Sequence, residues 1–300
     1  MLEIGGDLVK RRVWVIGHVA EDFVLKLDKE IGIGQFHAPS QIIQRCGGST
    51  SNIAIGLASG PIDTSFVTYL GNDDAAARVE PVLRNSGFEN LIITRGEDAT
   101  PRCLVVVDPH GERTLMLLTM IPKKHGGITF RDSGVQAGDI VLFTHWYDEW
   151  REEVEFAKSL GCIVVIGLGA LNVNPPISAD IAIGSISDIP KPLPFVDYLD
   201  RFPIIVVTRG MSGSDMYTKS GVIHQDAFPV KTIDTTGAGD SFLAGFLTGY
   251  ALGLPIGREL LEIGARWASL MVTIDASIPP NFYDIQGVQE IIDSTLPSNK

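Results

Sequence analysis

The chain has 300 residues, of which 45% are hydrophobic, so it can bury a large core, and we expect one sizeable domain over residues 1–300. The formal net charge of −12 disfavours unspecific binding to nucleic acid or to an anionic membrane, because both reward basic patches. The three cysteines are far apart without a CxxC spacing, and the longest apolar stretch, 161–171, is shorter than the roughly 20 residues of a membrane span. We therefore expect a cytoplasmic protein that binds neither nucleic acid nor a membrane.

The first part of the chain predicts strands of two kinds. Val13–Ile16 is a short apolar run that ends at Gly17, as is typical of a buried strand. Four further segments mix β-branched with polar residues and predict strands of a smaller sheet: Glu21–Asp28, Ile33–Cys46, Arg102–Asp108 and Arg113–Leu118. Because the turn Asp108–Gly111 joins the last two, we expect a small β-sheet outside the main core, within about residues 21–46 and 101–118.

From Ser51 onward, predicted helices alternate with predicted strands. The strands are Phe66–Leu70, Ile140–Thr144, Cys162–Ile166 and Ile204–Thr208. The helices are Asn52–Ser59, Ala75–Ser86, Glu149–Leu160 and Ser241–Leu252. This alternation predicts an α/β fold with a central, mostly parallel sheet flanked by helices. In such sheets ligands bind beyond the carboxyl ends of the strands.

A glycine-rich loop, Asp234–Asp240, comes directly before a strongly apolar helix. Gly237 and Gly239 permit backbone conformations and close approaches that a side chain prevents. The free N–H groups at the start of the helix would hold a phosphate, and Asp240 in the first turn would accept a proton from an alcohol. The alternative is an ordinary turn in which Asp240 caps the helix. Since the helix is apolar on nearly all sides and therefore buried, the functional interpretation is favoured.

This loop is part of a longer pattern that resembles a known family. Asp234–Phe242, with Gly245 after it, is similar to the C-terminal motif of the PfkB/ribokinase family of carbohydrate and nucleoside kinases. Other matches follow in the order of the family: Asp22 after the first strand, Gly47-Gly48 followed by Asn52 and Ala54, Phe66–Asp73, and Val207–Gly210 with Gly213. The resemblance covers nearly the whole chain and implies a ribokinase-like fold in a divergent member.

The resemblance also implies a role for each matched residue. The base that activates the acceptor hydroxyl would be Asp240, and the anion hole for the γ-phosphate of ATP would be Gly237, Ala238 and Gly239. The residues that hold the hydroxyls of the acceptor would be Asp22, Gly47, Gly48 and Asn52. The residues that contact the nucleotide would be Thr208, Gly210, Gly213, Gly237 and Gly239. The small sheet would be the lid of the family, which closes over the substrate.

Cofactors and partners follow from the same resemblance. It implies ATP and Mg²⁺, with a small sugar, a sugar derivative or a nucleoside as acceptor. Some members bind a monovalent cation such as K⁺, which would lie here near Asp234 and residues 274–277. Family members often pair through their lid sheets, and exposed apolar residues such as Val105 and Leu117 would permit a homodimer.

Three segments depart from the pattern of the family. Ser49-Thr50 follows the glycine pair where the family has another residue and then glycine, so one substrate contact cannot be carried over. The Asn-x-x-Glu motif of the magnesium site is replaced by Ser185–Asp188, in which Asp188 would hold a water on Mg²⁺. Gly167–Asn172 replaces an Asp-x-Asn-x-Arg motif. These departures motivate an alternative function, a sugar- or nucleoside-binding protein that has lost turnover, although the retention of Asp240 favours an active kinase.

Other side chains give weaker signals. His145 follows a strand on the expected ligand side, and with its aromatic neighbours it is either a sugar-stacking residue or part of the core. Arg102 and Arg113 flank the predicted hairpin and are expected to be solvated charges at strand edges rather than ligand clamps. No two histidines have metal-binding spacing. The sequence has no P-loop and no Gly-x-Ser-x-Gly elbow, and a dinucleotide-type run at 167–172 lacks its third glycine.

Overall fold

The computed structural model describes residues 10–111 and 113–296, and its strands are numbered β1 to β13 along the chain. The main sheet consists of β1 (Val13–Ile16), β4 (Thr64–Leu70), β5 (Asn90–Arg95), β8 (Ile140–Phe143), β9 (Ile163–Gly167), β10 (Ile181–Ser185), β11 (Ile204–Thr208), β12 (Ser214–Thr218) and β13 (Gly221–Gln225). Their order across the sheet is β13-β12-β11-β10-β9-β8-β1-β4-β5. Only the pairs β11–β12 and β12–β13 are antiparallel, so the predicted, mostly parallel α/β sheet is confirmed.

Helices cover both faces of this sheet. They are α1 (Ser49–Ala58), α2 (Asp74–Arg84), α3 (Arg151–Ser159), α4 (Ala238–Ala251), α5 (Arg258–Met271) and α6 (Val288–Thr295). Because successive side chains of a strand point to opposite faces, Val13 and Val15 join the core formed with α1, α2, α4, α5 and α6. Trp14 and Ile16 join the core on the other face, formed with α3. None of the helices in the described ranges is long and apolar enough to cross a membrane.

The second sheet, called the lid sheet below, consists of β2 (Ala20–Lys26), β3 (Gln41–Gly47), β6 (Arg102–Val107) and β7 (Arg113–Leu117). Its order is β3-β2-β6-β7, with a parallel central pair and antiparallel outer pairs. Val105 belongs to a small apolar cluster on one face and is only 3% exposed, so the expectation that it lies at an exposed surface is wrong. Leu117 is 62% exposed, as expected.

Several element boundaries differ from those predicted. The strand predicted over Ile33–Cys46 begins only at Gln41. Gly34 has a φ of 77°, and the residues between it and Gln41 form an irregular loop. Helices α1 and α4 each begin three residues earlier than predicted, at Ser49 and Ala238. Strands β5, β10, β12 and β13 and helices α5 and α6 have no counterpart among the predicted elements.

Helix α4 approaches α5 very closely because glycines face each other where they cross. A Cβ atom at Gly245 would lie 2.9 Å from Gly264 Cα and 3.0 Å from the Ile263 carbonyl oxygen. A Cβ atom at Gly264 would lie 2.7 Å from the carbonyl oxygen of Phe242. This contact holds α4 against the core. It therefore also fixes the glycine-rich loop Asp234–Asp240 at the N-terminus of α4, called the glycine turn below.

Replacing Gly245 by Ala should lower the free energy of unfolding by about 1–3 kcal/mol, because the new methyl group meets backbone that cannot rotate away. Urea unfolding followed by circular dichroism measures the change. The matched control is Gly249→Ala, where the methyl group would meet side-chain ends, Leu260 Cδ2 at 2.9 Å and Ile263 Cδ1 at 3.1 Å. Because those side-chain ends can rotate away, the free energy of unfolding should fall less in Gly249→Ala than in Gly245→Ala. Equal losses in the two variants would contradict this account.

Candidate active site

The carboxyl ends of the parallel strands open into one cavity of about 1080 Å³. Its lining includes Ile16 at the end of β1, Ser185 at the end of β10 and Thr208 at the end of β11. Residues of β2, β6 and β7 in the lid sheet cover one part of it. The cavity therefore lies where the sheet topology predicts a ligand site.

Asp240 lies in the wall of this cavity, in the first turn of α4. Asn52 Nδ2 donates a hydrogen bond of 2.8 Å to Asp240 Oδ2, and the Ser49 hydroxyl donates to Asp240 Oδ1. Burial raises the pKa of Asp240, while these two hydrogen bonds and the charges of His145 and Arg113 oppose the rise. The carboxylate is thus held in one orientation and is a better proton acceptor than an exposed aspartate.

The glycine turn before α4 has the features of an anion site. Gly237, the N-cap, has a φ of 73°, and a Cβ atom there would lie 2.6 Å from the carbonyl oxygen of Ser277. Gly239 faces open space, since a Cβ atom there would meet no other element of the described chain within 4 Å. In the described part of the chain, the N–H groups of Gly239 and Asp240 have no hydrogen-bond acceptor. Free N–H groups at a helix start attract a negatively charged group.

Asp22 and the glycine pair form the end of the cavity under the lid sheet. The Asp22 carboxylate lies against Gly47, where a Cβ atom would be only 2.0 Å from Asp22 Oδ2. Gly48 has a φ of 93° and is the N-cap of α1. Burial raises the pKa of Asp22 to about 6, with Arg45 opposing the rise and the nearby Asp240 adding to it. The sequence motif thus brings Asp22, Gly47, Gly48 and Asn52 together around Asp240.

Histidines and aromatic rings line the same end. His145 lines the cavity directly after β8, and its Nδ1 lies 3.1 Å from Thr144 Oγ1. His18 Nε2 lies 2.9 Å from Nδ1 of His125, whose ring stacks on Trp150 at 4.2 Å. Burial, together with the neighbouring histidines, lowers the pKa of His18 to about 3, so its imidazole is neutral.

The opposite end of the cavity is formed by the loops after β11 and β13. Thr208, Gly210 and Gly213, the residues that the resemblance assigns to the nucleotide, all line it. Gly213 has a φ of 82°, and a Cβ atom there would lie 2.1 Å from the carbonyl oxygen of Gln225. Only glycine fits at this position, because the loop after β11 packs closely against the backbone at the end of β13.

Two aspartates are candidates for ion binding. Asp188 lines the cavity, and its Oδ2 accepts a 2.8 Å hydrogen bond from the Ser185 N–H, which leaves Oδ1 available to a water. Asp234 is buried, and its Oδ1 accepts bonds of 2.8 and 2.6 Å from the N–H and hydroxyl of Thr236. Among the residues that the structure describes, no cluster of three or more His, Cys, Asp or Glu could hold a metal ion.

The two arginines that flank the lid hairpin have different surroundings. Arg102 makes ion pairs with Glu21 and Asp74 and does not line the cavity. Arg113, at the start of the edge strand β7, does line the cavity.

Sequence reasoning also fails to identify Ser49 and His18 as cavity residues. Ser49 occupies a position where the chain departs from the family pattern, and its contact with Asp240 joins residues 191 positions apart. His18 lies two residues after β1, so its place beyond the carboxyl end of a central strand is a signal that could have singled it out.

The comparison with known families agrees with this site. The family model described as pfkB family carbohydrate kinase matches residues 10–121 and 200–281, which is more than half of the chain. The chain belongs to the pfkB family of carbohydrate kinases. The unmatched residues 122–199 contain two of the three departures, Gly167–Asn172 and Ser185–Asp188.

Curated relatives and solved structures give the same assignment. A nucleoside kinase from Methanocaldococcus jannaschii is 24% identical over 90% of this chain and 92% of its own. A 5-dehydro-2-deoxygluconokinase from Geobacillus thermodenitrificans is 28% identical over 91% of this chain and 76% of its own. The fold of Arabidopsis thaliana ribokinase, solved with ribose and ATP, superposes with a TM-score of 0.70 at 19% identity, covering 95% of this chain and 99% of that one. The pfkB-family chain is thus a phosphotransferase with an alcohol group as acceptor and a ribokinase-like fold.

The raised pKa of Asp22 predicts a pH-dependent stability. The ordinary pKa is 3.8 and the folded value about 6, so the folded state binds this proton more tightly, and the stabilisation is lost as pH rises through about 6. Asp22→Asn removes the titration. The free energy of unfolding of the wild type minus that of the variant should therefore fall by up to about 3 kcal/mol between about pH 4 and pH 6. Urea unfolding at several pH values measures it, and a pH-independent difference would contradict the assigned shift.

Proposed function

We propose that this pfkB-family chain transfers the γ-phosphoryl group of ATP to a hydroxyl of a small sugar or sugar derivative. The observation that carries the proposal is a single cavity, in which the Asp240 carboxylate and the free N–H groups of the glycine turn lie beside each other. The cavity extends from the lid sheet to the loops after β11 and β13. A proton acceptor next to an anion-binding turn is what phosphoryl transfer to an alcohol requires.

In the proposed reaction Asp240 takes the proton of the acceptor hydroxyl. The freed oxygen attacks the γ-phosphorus, the bond to the bridging oxygen breaks, and that oxygen leaves on ADP. Asn52 and Ser49 hold the carboxylate in place. The N–H groups of the turn Gly237–Gly239, together with the dipole of α4, would stabilise the negative charge that develops on the transferred group.

The acceptor would bind under the lid sheet. Asp22 and Asn52 offer oxygen acceptors and N–H donors to a polyol, and the backbone at Gly47 and Gly48 permits close approach. His145 would contribute a further polar group or a ring face. The named relatives are a nucleoside kinase, a 5-dehydro-2-deoxygluconokinase and a ribokinase, so candidate acceptors to test include sugars, sugar acids and nucleosides.

The nucleotide and its ions would occupy the other end. Thr208, Gly210 and Gly213 would contact ATP. Mg²⁺ bound with the nucleotide neutralises phosphate charge, and Asp188 would hold it through a water. K⁺ would lie near Asp234, whose carboxylate is buried beside the glycine turn.

We further propose that two copies of the chain pair through their lid sheets. Leu115, Met116 and Leu117 on the edge strand β7 are 61%, 48% and 62% exposed, although an apolar strand edge is rarely left uncovered. Met116 does not line the cavity, so Met116→Glu disturbs the outer surface alone. Sedimentation velocity should show a dimer for the wild type and a weakened dimer for the variant. A monomer at all concentrations would contradict the pairing.

Asp240→Asn should lower turnover by about 10²–10⁴-fold, because the amide cannot take the hydroxyl proton. The measurement is ATP consumption across a panel of sugars, sugar acids and nucleosides, with the phosphorylated product identified by mass spectrometry. The matched control is Asp197→Asn, which removes the same charge from an exposed position outside the cavity and should leave turnover unchanged.

Two results would contradict the proposal. One is normal turnover in the Asp240→Asn variant. The other is a wild-type protein that no acceptor in the panel stimulates above the background hydrolysis of ATP. If calorimetry then detects a bound sugar or nucleoside, the chain is instead a binding protein on a kinase fold, the alternative that the changes at Ser185 and Ser49-Thr50 motivate.

A further inference from the structure

Arg113 begins strand β7 and faces the cavity from the lid sheet. Arg113, Leu115 and Leu117 all line the cavity, as alternate residues of one strand do when they share a face. Within residues 10–111 and 113–296, the Arg113 guanidinium has no ion-pair partner and no hydrogen-bond acceptor. A cation in a cavity wall that none of these described residues binds is available to a negatively charged ligand.

This end of the lid sheet is docked beside the glycine turn. The hairpin tip that precedes β7 lies next to the segment leading into the turn, since a Cβ atom at Gly111 would be 3.7 Å from the Ile233 carbonyl oxygen. In the lid sheet Arg113 lies opposite Val107, which in turn lies opposite Lys26. Lys26 makes an ion pair with Asp275, in the loop after α5. Arg113 is therefore carried by the part of the lid sheet that is anchored nearest to the phosphate-binding turn.

The charge of Arg113 also reaches Asp240. Burial is the largest influence on the pKa of Asp240 and raises it, the hydrogen bonds from Ser49 and Asn52 lower it, and the charges of His145 and Arg113 lower it further. Arg102, at the start of β6, instead makes ion pairs with Glu21 and Asp74 and does not line the cavity. The two arginines of the hairpin thus have separate functions, one structural and one directed at the cavity.

We propose that Arg113 is a catalytic residue that contacts the phosphoryl group during its transfer from ATP. The inference rests on the proposed kinase function and adds a lid residue to it. During transfer, negative charge is spread over the equatorial oxygens of the phosphoryl group, and a guanidinium offers them several N–H donors in a fixed plane. Arg113 keeps its proton throughout, because the proton of the acceptor hydroxyl goes to Asp240.

The test compares Arg113→Met and Arg113→Lys with the wild type, using the best acceptor of the panel. Arg113→Met should lower kcat by about 10²–10³-fold with little change in the KM of the acceptor, as expected when a donor to a developing charge is removed. Arg113→Lys should recover part of the rate, because it keeps the charge but not the planar donor set. The matched control is Lys29→Met, which removes an exposed positive charge from the lid region outside the cavity and should leave kcat unchanged.

Two further readouts separate this function from a structural one. Millimolar guanidinium should restore part of the activity of Arg113→Ala, which a purely structural loss would not allow. Binding of ADP with aluminium fluoride, a mimic of the transferring phosphoryl group, should weaken at least about tenfold in Arg113→Met, while binding of ADP alone is unchanged. The second readout needs no turnover, so it tests Arg113 even if the panel contains no substrate.

Several outcomes would overturn the assignment of Arg113 without touching the kinase proposal. One is a wild-type kcat in Arg113→Met. Another is a rise in the acceptor KM with kcat unchanged, which would make Arg113 an acceptor-binding residue. A third is equal weakening of ADP and of ADP with aluminium fluoride. If the wild type itself shows no turnover with any acceptor, the proposed function fails, which is a separate result. Binding of ADP with aluminium fluoride then decides for or against the assignment of Arg113.

Discussion

The site depends on how a half-buried carboxylate is accommodated at the meeting point of two helices. Removing an ionised aspartate from water costs several kcal/mol unless donors compensate it. Asp240 obtains this compensation from Asn52 and Ser49 at the start of α1 and from the N-terminal dipole of its own helix, α4. The two helix starts must therefore be held together, and small residues make this possible: a Cβ atom at Gly56 in α1 would lie 3.3 Å from that of Ala244 in α4. Core packing thus decides the geometry of Asp240, the proposed base.

The lid sheet completes a cavity that the main sheet leaves open. Its own apolar cluster is small, with Val24, Cys103, Val105 and Val107 as its buried members. Much of its attachment to the body is instead electrostatic, through Lys26 with Asp275 and through the buried Glu21 with Arg78. Asp22, to which we assign an acceptor-binding role, lies directly on this sheet. Acceptor binding would therefore involve the lid sheet as well as the body of the protein.

Local patterns were sufficient for some of the structure and insufficient for the rest. The glycine turn and α4 were predictable because their chemistry is contiguous: glycines, an acidic residue and an apolar helix follow each other within Asp234–Ala251. The loop before β3 was not, because its apolar residues, such as Ile33 and Phe36, resemble those of a strand but are almost fully exposed. Strand β10 was not predicted because it has only five residues, and their mixed burial gives little periodicity. Ser49 gains its significance only from its contact with Asp240, 191 positions away, which the sequence does not display.

The central claim is that one in-line step moves the phosphoryl group to the acceptor, with Asp240 as a base rather than as a nucleophile. The stereochemistry of transfer from ATP that is isotopically chiral at the γ-phosphorus tests this most directly. A single displacement across the cavity predicts inversion of configuration at phosphorus in the product. Retention would require two displacements through a phosphorylated enzyme intermediate, with the Asp240 carboxylate as its obvious site, and would contradict the account.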